Sequence, residues 1–159
     1  MGREYQFFIY ILTNYRQTVL YTGMTNNIIR RLIEHKFGFG CAFSQKYKTK
    51  YLVHLEQYGY FDKAMAREKE LKNWNKNKKL SLIKKDNPLL LDLSDKIFRD
   101  SGYTNESLKI LAEEIRVSYK IDPSPGARDD KTWVIDPSRG ASRIIRGSVG
   151  TGRLTKASE

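Results

Sequence analysis

What this chain lacks narrows its possible functions before any motif is read. Among 159 residues there is one cysteine, Cys41, so neither an internal disulfide nor a multi-thiolate metal site can be built, and a reducing compartment is expected. No apolar run approaches the ~20 residues that a membrane-spanning helix needs, and the N-terminus has no charged-then-apolar signal pattern. A cytoplasmic protein with no membrane partner is the expectation. There is length for one ordinary domain and little for a second, and no internal repeat is visible. Acidic side chains are also short: 18 Asp and Glu face 29 Lys and Arg, a formal charge of +11. Clustered cations of this kind bind polyanions through counterion release, with a membrane surface as the competing partner.

The excess is concentrated. Residues 1–100 hold 19 Lys and Arg against 10 Asp and Glu, a balance of +9, which leaves +2 for the rest. Nine basic residues fall between Lys63 and Lys85, interrupted by Leu71, Trp74, Leu80, Leu82 and Ile83. A solvated helix face accounts for single lysines in such a run, while their density favours a surface that tracks phosphates.

Residues 5–13 alternate Tyr5, Phe7, Ile9, Ile11 with Phe8, Tyr10, Leu12, which predicts a strand covered on both faces. After the polar connection 14–17, residues 18–22 read as a second strand pairing antiparallel with it, and Tyr21-Thr22-Gly23 as a turn into a helix. Asn26 or Asn27 caps that helix, whose apolar stripe is Ile28, Ile29, Leu32 and Ile33. Residues 44–50 are basic and read as a loop, and Tyr51 to Glu56 alternate as a third strand. Asp62 is placed to cap a helix over 63–75, and Asn77 to start a shorter one that ends before Asn87-Pro88. This order predicts an α+β domain over 1–98, a small three-stranded antiparallel sheet flanked by helices. A helical extension follows over 99–121, with Leu108, Leu111 and Ile115 at helical spacing. Residues 122–159 hold three of the four prolines and no sustained apolar period, the composition of a disordered basic tail.

Three positions stand out on these elements. Arg31 and His35 are spaced i, i+4 beside the apolar stripe and share a face, whereas Arg30 and Glu34 read as a surface ion pair. Alone, Arg31 is as readily a solvated arginine, His35 a packing residue and His54 a structural one. Glu68 falls between Ala64 and Leu71 on the apolar side of its helix, where an ionised carboxylate needs a partner. Lys72, four residues on, would serve as an ordinary ion pair. A hard divalent cation such as Mg²⁺ would serve equally, since it accepts one or two carboxylates and completes its shell with water and phosphate.

Taken together, F-I-Y ending at Tyr10, L-Y-T-G over Tyr21 to Gly23, Arg31 with His35, A-R-E-K-x-L-K-x-W around Glu68, and Asn87-Pro88 resemble the GIY-YIG nuclease superfamily. The likeness is to its compact, single-domain bacterial members, related to the nuclease domain of the bacterial excinuclease, and it covers about residues 5–98. Phe8 replaces the family's Gly, and Thr22 its Ile. The resemblance implies that Tyr10 and Tyr21 flank a scissile phosphate in DNA, Arg31 neutralises its charge, and Glu68 holds a single Mg²⁺ or Mn²⁺. It further implies that Asn87 orders the site and that His35 occupies an often functional position.

The implied activity is a metal-dependent endonuclease that leaves one nick per site in DNA repair or processing, on branched, damaged or single-stranded substrates. A nucleic-acid binding module on the same fold without cleavage is the alternative. A third reading is an RNA-directed nuclease or repair accessory, with unpaired bases stacked on Tyr47 or Trp74. A tyrosine with a pKa of about 10 is ionised in roughly one molecule per thousand at pH 7, so holding it as a base costs about 4 kcal/mol. A nearby cation and Arg31 both reduce that cost.

Overall fold

A computed structural model of the chain describes residues 5–121, together with Val134–Asp136 and Ala141–Ile144. In chain order the elements are β1 (Phe7–Thr13), β2 (Leu20–Thr25), α1 (Ile28–Lys36), α2 (Ala42–Tyr47), β3 (Tyr51–Tyr58), α3 (Phe61–Asn73), α4 (Lys76–Asp86), α5 (Ser94–Asp100) and α6 (Asn105–Ile121). Two short strands, β4 (Val134–Asp136) and β5 (Ala141–Ile144), pair antiparallel as a separate unit. The tail expectation otherwise lies outside the described residues.

β1 is central in a three-stranded sheet of order β2-β1-β3, antiparallel on both sides. Its aromatic and branched residues suit a strand flanked on both edges and buried on both faces. Asn14 closes the β1–β2 connection: its carbonyl accepts from the Gln17 amide at 2.9 Å and its side chain from the Thr18 amide at 2.8 Å. Tyr10 and Leu12 point to one face, into a core built with Ile28, Leu32 and Ile33 of α1, Phe98 of α5, and Leu108, Ala112 and Ile115 of α6. Ile11 points to the other, packing with Val53, Ile83 and Leu90. A Phe7–Phe61 ring contact and an Arg67–Glu56 ion pair seat α3 on that second side.

Three expectations shift at this level. Residues 21–23 are not a turn but lie within β2, where Gly23 sits opposite Tyr10. Residues 44–47 are not loop but part of α2, whose last turn ends at Lys48 in the left-handed region (φ 52°). The boundary at residue 98 also moves, because α5 and α6 contribute Phe98, Leu108, Ala112 and Ile115 to the same core as Tyr10. Burying side chains of that size stabilises by roughly 1.5–3 kcal/mol each, so the helical extension is part of the domain.

The α1 cap is Asn27, as expected, while the caps of α3 and α4 each lie two residues earlier than expected. Asn27 accepts from the Arg30 amide at 3.0 Å and Asn75 from the Lys78 amide at 2.9 Å, each a side-chain oxygen satisfying an orphan amide of the first turn. Tyr60, not Asp62, precedes α3, and Asp62 instead lies in its first turn, where a negative charge opposes the helix dipole favourably. No helix among the described residues is long and apolar enough to cross a membrane.

Candidate active site

Four of the residues singled out in the sequence meet on the Tyr10 face of the sheet. Tyr10 and Tyr21 bring their ring centroids to 6.2 Å, and His35 lies 5.7 Å from the first and 5.5 Å from the second. Arg31 donates from Nε to the Tyr10 hydroxyl at 3.0 Å, one turn before His35 on α1.

Two glycines make this packing possible. A Cβ on Gly23 would lie 2.4 Å from the Tyr10 hydroxyl oxygen and 2.5 Å from Cζ, so the Tyr10 ring lies directly over a position that only glycine leaves open. A Cβ on Gly40 would meet His35 Nδ1 and Ser44 Oγ, each at 2.6 Å. The loop between α1 and α2 therefore passes close over the imidazole, and Ser44 of α2 reaches it at 2.8 Å.

The hydrogen-bond network assigns the protons. Ser44 has a single hydroxyl proton, which it donates to the Cys41 carbonyl at 3.2 Å. Ser44 Oγ must then accept from His35, which places the imidazole proton on Nδ1 and leaves the Nε2 lone pair facing the Tyr10 hydroxyl at 3.3 Å. Tyr10 consequently accepts from Arg31 and donates to His35. Burial, reinforced by the neighbouring Arg31 charge, pushes the His35 pKa down to about 3, so the ring is neutral at physiological pH.

Burial also works against the Arg31 charge, but Tyr10 and Glu34 outweigh it and hold the guanidinium above its ordinary value. Glu34 is the main residue that sequence reasoning misplaced. It is 3% exposed, not a surface partner of Arg30, and it collects Arg30 Nε at 2.9 Å, Arg31 Nη1 at 2.9 Å and the Tyr119 hydroxyl of α6. Its sequence position resembles an ordinary i, i+4 pair, and it is the packing of α6 on α1 that brings Tyr119 onto it. Tyr119 carried no local signal at all.

The Tyr21 hydroxyl differs from that of Tyr10. It is buried and has no hydrogen-bond partner among the described residues, although the ring itself is partly exposed. A buried hydroxyl without a partner is a place where a water or a substrate oxygen is expected.

Glu68 lies on α3, between the buried Ala64 and Leu71 as its spacing indicated, and it is itself buried. Lys72 Nζ comes to 2.9 Å of Oε1, a charge contact, yet Oε1 makes no hydrogen bond of acceptable direction. Ion pair and unmet acceptor coexist, and the distance alone overstates how well Lys72 satisfies the carboxylate. Among the described residues no hydrogen bond or ion pair joins Glu68 to the tyrosine cluster, and no group of three His, Cys, Asp or Glu side chains is disposed around a metal. A single carboxylate with an open lone pair still fits a hard cation that completes its shell with water and phosphate.

Asn87 ends α4 and is fully engaged. Its Nδ2 donates to the Val53 and Leu91 carbonyls at 3.1 and 2.8 Å, and its Oδ1 accepts from the Leu91 amide at 2.9 Å. It pins the turn after α4 onto β3 and has no donor left for a substrate. His54 is held at 3.0 Å by Glu56, which also accepts from Tyr58 and Arg67. Despite burial, these three partners depress the Glu56 carboxyl well below the usual range, while burial and Glu56 push Tyr58 up to about 12. Trp74 lies beneath Lys78 Nζ at 4.0 Å and the Arg67 guanidinium at 5.2 Å, so cations occupy its ring.

The model of the GIY-YIG catalytic domain matches residues 6–81. A UPF0213 protein of Natronomonas pharaonis is 37% identical over 76 residues, 48% of this chain and 88% of that relative. One from Syntrophus aciditrophicus is 38% identical over 80 residues, 50% of this chain and 91% of that relative. The solution structure of a UPF0213 protein from Bacillus halodurans is similar at 25% identity with a TM-score of 0.38, over 56% of this chain and 94% of that one. The match spans the sheet and the helices that carry Tyr10, Tyr21, Arg31, His35 and Glu68, and the chain belongs to the GIY-YIG superfamily as one of its compact members.

Proposed function

We propose that the protein is a divalent-metal-dependent endonuclease that hydrolyses phosphodiester bonds in DNA, one nick at a time, in DNA repair or processing. The observation that carries this reading is the joined set Tyr10, Tyr21, Arg31 and His35, assembled on the face of a nuclease-type domain with a basic surface. Arg31 is fixed by Tyr10 and Glu34, so its charge is oriented before substrate arrives, which is how a guanidinium stabilises negative charge growing on a phosphoryl group.

The two tyrosines take different parts. Tyr10 is fully buried and bonded on both sides, so it holds Arg31 in place and is itself oriented by the neutral His35 ring. Tyr21, with its unpartnered hydroxyl, is the group free to accept a hydrogen bond from the attacking water and, once its own proton has been lost to solvent, to take the water's proton as tyrosinate. Glu68 would hold Mg²⁺ or Mn²⁺, which supplies Lewis-acid stabilisation of the phosphate and the leaving oxygen when bound. Asn87 orders the turn after α4 against β3.

The alternative, a nucleic-acid binding module without cleavage, draws support from the Glu68–Lys72 contact, which gives the carboxylate a resident cation of its own. Supercoiled plasmid incubated with Mg²⁺ or Mn²⁺ separates the two. The nuclease reading expects relaxation that EDTA abolishes and that Arg31→Ala slows by about 10²-fold or more. Salt-dependent binding without relaxation under either metal would establish the binding module instead.

A further inference from the structure

α2 is only six residues long, yet it presents two large aromatic side chains outward. Phe43 is 41% and Tyr47 39% exposed. They are not scattered. The Phe43 ring stacks on Tyr21 at 5.7 Å with 30° between planes, and Tyr47 follows at 4.5 Å from Phe43. An aromatic row thus leads from the candidate active site to the surface. Singly scattered apolar residues on a surface are ordinary, whereas a contiguous exposed apolar patch marks an interaction site.

The charge around the row indicates what covers it. Lys46 lies over the Tyr47 ring at 5.3 Å, Lys50 over Tyr51 at 5.7 Å, and Lys48 is exposed between them. No acidic residue falls between Gly40 and Leu55. Lysines interleaved with half-exposed aromatic rings suit a nucleic-acid strand, whose phosphates meet the lysines while its bases stack. An apolar protein partner would leave these lysines to be desolvated without compensation.

The row is also held rigidly. Ser44 bonds to His35, Gln45 Nε2 donates to the Gly40 carbonyl at 2.6 Å, and the missing side chain at Gly40 lets α2 sit close to α1.

We infer that Tyr21, Phe43 and Tyr47 form a base-stacking subsite for an unpaired nucleotide next to the phosphate held at Arg31, so that the protein selects strands with unstacked bases over intact duplex. This rests on the nucleic-acid reading above. Stacking needs a π face outside a base pair, which a continuous duplex does not offer without the additional cost of flipping a base.

The test measures binding, not cleavage. A fluorescein-labelled single-stranded DNA oligonucleotide and its matched duplex are titrated by anisotropy in EDTA against wild type, Phe43→Leu, Tyr47→Leu and the double substitution. A second single-stranded probe carries 2-aminopurine, whose emission is quenched on stacking. The inference expects wild type to prefer the single strand and to quench 2-aminopurine, and the double substitution to weaken single-strand binding about tenfold or more while changing duplex binding less than about twofold. Tyr47→Phe, which keeps the ring, retains single-strand binding. Leucine preserves apolar bulk, and far-ultraviolet circular dichroism confirms that each variant is folded.

Equal loss on both probes, or none on either, overturns the subsite while leaving the nuclease reading in place. Stacking-dependent binding by a wild type that cuts no substrate upholds the subsite and removes the nuclease. A wild type that binds neither probe overturns both.

Discussion

The Tyr119 hydroxyl donates a hydrogen bond to the Glu34 carboxylate, and the same carboxylate holds Arg31. A residue 85 positions further along the chain therefore braces the guanidinium at the centre of the site. The family match ends at residue 81, so Tyr119 and the whole of α6 lie outside it. Tyr119→Phe is expected to lower stability by about 1 kcal/mol, the net worth of one hydrogen bond, because Arg30 still satisfies that oxygen. Glu34→Gln is expected to cost about 3 kcal/mol, since it removes a buried charge that Arg30 and Arg31 both meet. Urea unfolding followed by circular dichroism measures both, and equal effects would show that Glu34 is not the common anchor.

The glycines give a second prediction. Gly23→Ala places a methyl against the Tyr10 ring, and Gly40→Ala places one against His35 and Ser44. Overpacking of this kind typically costs about 1–3 kcal/mol. A glycine that served only as a turn would lose much less, because Gly23 lies in a strand where alanine is tolerated by the backbone. Gly23→Ala should also red-shift or broaden the tyrosine signals, read by near-ultraviolet circular dichroism, since Tyr10 must move.

These positions show which features the sequence made legible. The aromatic and branched run of β1, the Ile28/Leu32 stripe of α1 and the capping asparagines act locally, so the three-stranded sheet and the helix carrying Arg31 and His35 follow from periodicity. Tyr10, Tyr21, Arg31, His35 and Glu68 were recognisable as a motif set. Gly23 was visible but misread as a turn, because a glycine needed for ring clearance across a strand pair looks like one needed for chain reversal. Glu34 and Tyr119 were not legible: their contact depends on α6 returning to α1, and nothing in either local stretch encodes that return. α2 was not legible because its short sequence carries no apolar stripe, and it is held by Ser44 and Gly40 against His35.

A pH prediction follows from His35. Its pKa is about 3 in the folded protein against 6.5 ordinarily, so the unfolded chain takes up the proton first as pH falls. The stability that His35 contributes is whole above pH 6.5 and is lost progressively as pH drops toward 3. One proton changes stability by about 1.4 kcal/mol per pH unit, so roughly 2 kcal/mol should disappear between pH 6.5 and 5. Glu56, whose folded pKa is also depressed, acts below the ordinary carboxylate range and leaves this upper window clear. Urea midpoints of wild type and His35→Gln across pH 5 to 7 provide the check: the variant should be flat where wild type slopes.

The Lys72 contact bears on the metal. If Glu68 holds a cation during turnover, Lys72 competes with it, and Lys72→Met should lower the Mg²⁺ concentration for half-maximal nicking several-fold without lowering the maximal rate. An unchanged Mg²⁺ requirement, measured on supercoiled plasmid across a metal titration, would place the cation elsewhere.

The most direct measurement is the initial rate of plasmid nicking at saturating Mg²⁺ for wild type and for Glu68→Gln, which removes the charge of the carboxylate while keeping its shape. The account predicts Mg²⁺-dependent nicking by wild type and a loss of about 10²-fold or more in the variant, with binding to the uncut plasmid retained. Equal nicking by the two proteins, or none by wild type, would contradict it.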